Sequence, residues 1–332
     1  TMNPSCGAIL TKKRRGEITE RKEGESKKAS EKIVRLKNNG GYLLFALPAV
    51  VFIVIFCYVP MYGILIAFKD ADWYPGNSIL SNEIAWVGLD NFKTFFSDPV
   101  CIKLIRNTFL LCIFGFIVGF PLPIAIALLL NSLKSKRMSK ALSTLFNAPH
   151  FISLVVIVGM LYSFFGESGL VNNIREAMGL ERYGYFREPE AFRPMFILSS
   201  NWQDFGWGTI IYLAALSGVN PEMHEAAVID GASRWKRVRY IDFPAILPTV
   251  TISLIMSVGG LMNVGYEKAW MMQTPTNKET SDIISTWVYD RGLLNDNYAL
   301  ATAVGLFNSI VSVVLLCSAN FLSKRISGDS MF

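Results

Sequence analysis

Charge is thinly spread in this chain. Asp, Glu, Lys and Arg make up 17% of its 332 residues, and six long stretches hold almost none of it. The five cysteines, Cys6, Cys57, Cys101, Cys112 and Cys317, are scattered, and no pair has metal-ligand spacing. They read as small apolar residues or inert thiols, with no metal held. No G-x-x-x-x-G-K-[ST] occurs, so nothing here can cradle ATP phosphates. Histidine occurs twice, at His150 and His224. That scarcity excludes one chemistry. Gly166-Glu167-Ser168-Gly169 has the G-x-S-G pattern of an intramembrane serine protease, but the only later histidine lies in a polar connection. Without a general base on the correct side, the segment reads as a turn. No internal repeat or low-complexity linker divides the chain.

The charge-poor stretches are residues 42–68, 107–133, 141–166, 194–221, 243–266 and 297–323. Four carry no ionisable side chain beyond Tyr or Cys, the third holds only His150, and the fourth only Asp204. Each exceeds the roughly 20 residues needed to cross a hydrocarbon core. Backbone groups in lipid must pair within their own segment, so these runs are helices. Pro48, Pro121 and Pro123 should kink them rather than stop them. The fold class is all-α, a polytopic membrane protein of six transmembrane helices.

Lys and Arg placement sets the orientation. The N-terminus, the second and fourth connections and the C-terminus together hold 21 of the 32 basic residues, while the three remaining connections hold 15 of the 26 acidic ones. Both termini are therefore expected in the cytoplasm. The formal net charge of +6 follows from this topology and gives no argument for nucleic acid. Residues 1–41, with Lys12-Lys13-Arg14-Arg15 and Lys27-Lys28, read as a disordered basic tail with a weak pull on anionic lipid. One membrane domain follows over residues 42–325, then a short cytoplasmic end at 326–332. Trp73, Tyr74 and Pro75 in the first external connection suit the membrane interface.

The most patterned polar segment is the fourth connection, residues 220–243. Asn220 is a good N-cap and Pro221 a good first helical residue. Glu222 and Glu225 complement the dipole of the helix they begin. Ala226 and Ala227 keep one face thin, and Asp230-Gly231 supplies a turn in which Gly takes a positive φ. Ser233 caps a second helix with Trp235, Val238 and Ile241 on one side and basic residues on the rest. Pro244 and Pro248 mark the return into the bilayer. The product is a helix–turn–helix on the cytoplasmic face, shaped for docking.

Glu225, Ala226, Ala227, Asp230, Gly231 and Ala232, with Ile241, Pro244 and Pro248 downstream, resemble the EAA motif of permease subunits in ATP-binding-cassette importers. Val87-Gly88-Leu89-Asp90-Asn91-Phe92 resembles the first external loop of sugar-importer permeases. Residues 146–153, 282–289 and 301–307 resemble the LplB-type subgroup. The resemblance implies a MetI-like permease fold in a bacterial cytoplasmic membrane, with residues 220–243 as the coupling helix in a cleft of the ATPase. It implies an oligosaccharide importer that also needs a second, different permease, two ATPase subunits and an external solute-binding protein. The chain itself would bind no cofactor and catalyse no reaction, ATP and Mg being used by the partner ATPase.

Asp204 is the only carboxylate deep in a run, and a charge near the bilayer centre costs at least roughly 2.5–3.5 kcal/mol. It should face a cavity or a partner. With Trp202 it reads either as a sugar-binding wall or as part of a structural hydrogen-bond network. Asn263, Tyr266 and Trp270 on the fifth run, and Asn147 on the third, are further candidates for the substrate path, while His150 reads as a packing residue. The same scaffold importing a polyol or glycerol phosphate is an alternative. A self-contained secondary transporter is another, disfavoured by the lack of intramembrane carboxylates and of a repeat.

Overall fold

The computed structural model describes residues 40–70, 73–80 and 83–327. The basic clusters expected to form a tail, and residues 328–332, lie outside them. The described residues are helical apart from connections and two isolated β-bridges. The chain divides after Gly63 into two units. In the first, α1 (Gly40–Ile53) carries Pro48 and runs on through a π-helical turn, Val54–Tyr58, to Val59–Met61. Pro48 therefore does not stop the helix. Residues 44–61 are exposed on every side of it. A helix apolar all round is suited to lipid or to another chain.

The second unit holds the remaining helices. In the first turn of α2 (Asp90–Ser97), Asn91 is buried and its amide donates to the carbonyls of Ala67 (2.9 Å) and Lys69 (2.7 Å). The Val87–Phe92 segment is thus a brace for the chain at the C-terminal end of the first run. α3 (Val100–Gly119) and α4 (Pro121–Ser132) form one 33-residue apolar span. Pro121 and Pro123 sit in the first turn of α4, where a missing N–H costs little.

The third run differs from the uninterrupted helix expected. α5 (Lys136–Asn147) ends in a 3-10 turn, Ala148–Phe151, and a new helix α6 (Leu154–Phe165) starts after an extended Ile152. Pro149 cannot donate to the helix ladder, and Ser153 caps α6 by accepting from Val156 N (3.5 Å). After α7 (Leu170–Ala177) comes α8 (Pro189–Ser217), 29 residues or about 43 Å long. Among the described residues, five helical stretches are both long and apolar enough to cross a membrane, and α8 is not among them. Its length suffices, but the polar run Ser199-Ser200-Asn201 followed by Gln203-Asp204 lowers its hydropathy.

α9 (Pro221–Ile229) and α10 (Arg234–Arg237) form the fourth connection. A π turn, Val238–Asp242, joins α10 to α11 (Phe243–Gly259) as one continuous helical stretch. The fifth run is shorter than expected, because Gly259-Gly260 end the helix. Residues 260–265 form turns before α12 (Tyr266–Met272), so Asn263 lies in a loop and not in a span. α13 (Lys278–Ser281), α14 (Ile284–Tyr289) and α15 (Tyr298–Ser327) complete the unit.

α8 is the hub, packing against α3, α4, α5, α11, α12, α13 and the 3-10 turn. Its closest approach is at Gly206, where a Cβ would fall on the Phe146 carbonyl. Overpacking of this kind costs about 1–3 kcal/mol. Gly206→Val should therefore lower the melting temperature of the detergent-purified chain by several degrees. Gly159→Ala, at a position with nothing within 4 Å, should leave it unchanged. Equal melting of the two variants would contradict the packing described.

Candidate functional site

Two regions gather chemistry. The first is the fourth connection. Asn220 Oδ1 accepts from Glu222 N (3.0 Å), which satisfies a donor that the helix start leaves free. At the other end, Gly231 takes φ +72°. Gly231 N donates to Val228 O (3.0 Å) and Ala232 N to Ala227 O (2.8 Å). This is the paired bonding of a Schellman end, in which glycine relieves the left-handed conformation. Ser233 Oγ accepts from Lys236 N (3.4 Å) and begins α10.

Of Pro221–Ile229, only His224 and Ala227 are not exposed. Glu225, Ala226, Asp230 and Gly231 face out, as do the apolar Met223, Val228, Ile229 and Trp235. Ala232 and Ile241 are half-buried. Pro244 stands in the first turn of α11 and Pro248 inside it, both exposed.

Beneath this element lies an arrangement that the sequence reading did not find. Asp242 is 2% exposed, and its Oδ1 lies 3.2 Å from His224 Nε2 and accepts from Asn131 Nδ2 (3.2 Å). A cavity of about 330 Å³ adjoins it, lined by Lys134, Arg234 and Arg237 as well as these three. The available signal was a lone carboxylate at the last position before an apolar run.

The second region surrounds Asp204. A cavity of about 480 Å³ is walled by Phe116, Phe120, Asn201, Asp204, Trp207 and Ser257, among others. Asp204 Oδ1 lies 3.0 Å from His150 Nδ1, and the His150 ring stacks on Trp207 at 4.5 Å and 9°. His150 therefore orients the carboxylate, a role the packing expectation did not give it. Trp202 does not join Asp204 in this cavity. Two residues along a helix is about 200° of rotation, so the two side chains leave on nearly opposite sides. Trp207, three residues on from Asp204, supplies the aromatic wall instead.

The other candidates are dispersed. Tyr266 stacks on Tyr289 (5.1 Å) and Trp270 meets the same ring edge-on (5.0 Å), forming a separate aromatic cluster. Asn263 is exposed in its turn, and Asn147 has a buried, unpaired Oδ1. Lys268, which hydropathy leaves in an external connection, is instead 5% exposed and donates to Ser200 Oγ (2.9 Å) on α8.

Residues 119–328 match the family model for the inner membrane component of binding-protein-dependent transport systems. The chain belongs to that family. It is similar to Protein LplB of Bacillus subtilis (strain 168), 37% identical over 298 residues that cover 90% of this chain and 92% of that one. It is 35% identical to the polygalacturonan/rhamnogalacturonan transport system permease protein YteP of the same organism, over 93% and 95% of the two chains. Among solved structures it resembles a chain of a bacterial alginate transporter in complex with an alginate pentasaccharide-bound periplasmic protein. There the TM-score is 0.80 at 36% identity, covering 90% of this chain and 98% of that one. Family membership makes this chain a membrane-spanning permease subunit of a transport system and not an enzyme.

The two carboxylates differ in what surrounds them. The Asp204 side chain is 65% exposed and should contribute under about 1 kcal/mol through its pair with His150. Removing Asp242 deletes the buried acceptor shared by His224 and Asn131, two bonds worth about 0.5–1.5 kcal/mol each. Thermal melting of the purified chain should show a clearly larger drop for Asp242→Ala than for Asp204→Ala. The reverse order would refute the burial contrast.

Proposed function

We propose that this chain is one half of the membrane pathway of an ATP-driven saccharide importer, and that residues 220–243 are the element through which an ATPase subunit moves it. The observation that carries this reading is the capped, Gly231-turned helix pair, which leaves an apolar face exposed on a polar connection. Exposed apolar patches rimmed by polar residues mark interaction sites. The similarity to subunits of alginate and polygalacturonan transport systems supports a saccharide as cargo.

Two spanning units are needed to enclose a path, so a second, different permease stands opposite, each with its own ATPase. An external solute-binding protein delivers the cargo, a reading supported by the related alginate transporter's complex with an alginate pentasaccharide-bound periplasmic protein. Both termini and the fourth connection face the cytoplasm, following the basic residues. The cavity at Asp204 is the substrate path. A saccharide presents apolar ring faces and many hydroxyls, which suit Phe116, Phe120 and Trp207 beside a carboxylate that His150 keeps in place.

ATP closes the motor subunits, the docked elements move with them, and the spans rock between facing inward and outward. Driving a two-state equilibrium from 1:99 to 99:1 takes about 5.5 kcal/mol of differential interaction, so this contact must be tight.

Gly231→Pro tests the docking element. Proline has no N–H to give Val228 and holds φ near −65°, so the turn cannot form. The reconstituted transporter should assemble and hydrolyse ATP but lose saccharide uptake. Wild-type uptake by Gly231→Pro would remove residues 220–243 from the coupling role.

A further inference from the structure

The docking helix holds to its own chain by very little. α9 packs weakly on the rest of the molecule, and only His224 and Ala227, one turn apart, turn inward. Ala227 offers a methyl group. His224 offers a polar bond, and that bond ends on a carboxylate 2% exposed. Asp242 in turn belongs to the helical stretch that continues into α11, and it also holds Asn131 at the end of α4. One oxygen atom therefore joins the surface helix, the base of the fifth span and the end of the second.

We propose that His224, Asp242 and Asn131 form a latch that transmits motion of α9 to α11 and α4. The inference rests on α9 being the ATPase contact. His224 is a positioning residue, acting on the cavity through Asp242. A helix bound only at an exposed apolar face could be drawn along by a motor while its own bundle stayed behind, for its backbone leads to the spans only through turns. The Ser233 cap and the Gly231 turn shape that connection, but neither ties it to a second span. The latch does, since Asp242 reaches α4 directly. The α11 wall of the Asp204 cavity, with Ser253 and Ser257, lies on the same continuous helical stretch as Asp242. Displacing Asp242 thus displaces part of the cavity wall. A hydrogen bond away from water is electrostatically stronger than an exposed one, and burial of Asp242 supplies that environment.

The test uses the whole transporter in lipid nanodiscs, with a version of this chain whose native cysteines are replaced and Ser257→Cys as reporter. The rate of Ser257→Cys labelling by a hydrophilic maleimide is compared without nucleotide and with ATP plus vanadate. A photo-crosslinking residue at exposed Val228 reports separately on ATPase contact. With crosslinking intact, His224→Ala should reduce the nucleotide-driven change in labelling about tenfold. His224→Gln, which carries an amide N–H at a similar reach, should restore it to within about twofold, and Asp242→Asn, which keeps the accepting oxygen, should do the same. A purely structural loss would also lower crosslinking and melting temperature. Wild-type gating by His224→Ala, or equal loss in His224→Ala and His224→Gln, would overturn the latch. Absence of any ATPase crosslink in the otherwise wild-type chain would overturn the docking reading instead.

Discussion

A helix with polar side chains inside an apolar bundle has to bring its partners with it, and α8 imposes that demand on everything around it. Lipid offers neither water nor counter-ions, so each polar group on α8 must be answered from a neighbouring helix or face a cavity. Ser200 is met by Lys268 from α12, Gln203 by the carbonyl of Ile152, and Asp204 by His150 beside the 3-10 turn. The last two of these contacts explain why the third run breaks where it does. A straight helix through residues 141–166 would leave Ile152 O paired within itself. The break at Pro149 frees that carbonyl and brings His150 toward α8. Close packing follows from the same arrangement, with Gly206 admitting the Phe146 backbone.

What the sequence revealed of this fold, it revealed locally. The caps at Asn220 and Ser233 and the positive φ of Gly231 depend on side chains within three residues of their effect, and each stands as read. The long apolar runs were legible because insertion into lipid is itself set by composition. The rest depended on distant partners. Pro149 and Ser153 are the local break signals in the third run, which reads as one helix on its lack of charge. The Gly259-Gly260 pair likewise shortens the fifth run and moves Asn263 out of a span. Lys268 was assigned by charge to an external connection, since nothing local shows that Ser200 and the ring of Phe196 wait for it. The pairing of Trp202 with Asp204 failed on helix geometry that the sequence did contain, for residues two apart do not share a face.

The same division separates the two functional regions. The shape of residues 220–243 is legible because it comes from turns and caps, whereas the cavity is assembled from α3, α8 and α11 and no single segment encodes it. Between them runs a helical stretch from Arg234 to Gly259, 26 residues or about 39 Å long. Its one end carries the exposed Trp235, and nearer its other end it contributes Ser257 to the cavity wall. Under the proposed function, chemical energy spent outside the membrane reaches the cavity along this lever, provided its base is held to α9.

The central claim is that this chain forms half of a path and is driven from outside itself. Uptake of radiolabelled saccharides, uronate-containing and neutral, should be measured in liposomes that carry either this chain alone or the full set of two permeases, ATPases and loaded binding protein. Uptake is expected only with the full set and only with ATP inside the ATPase-facing compartment. Saccharide accumulation by the isolated chain, with no ATPase present, would contradict the account.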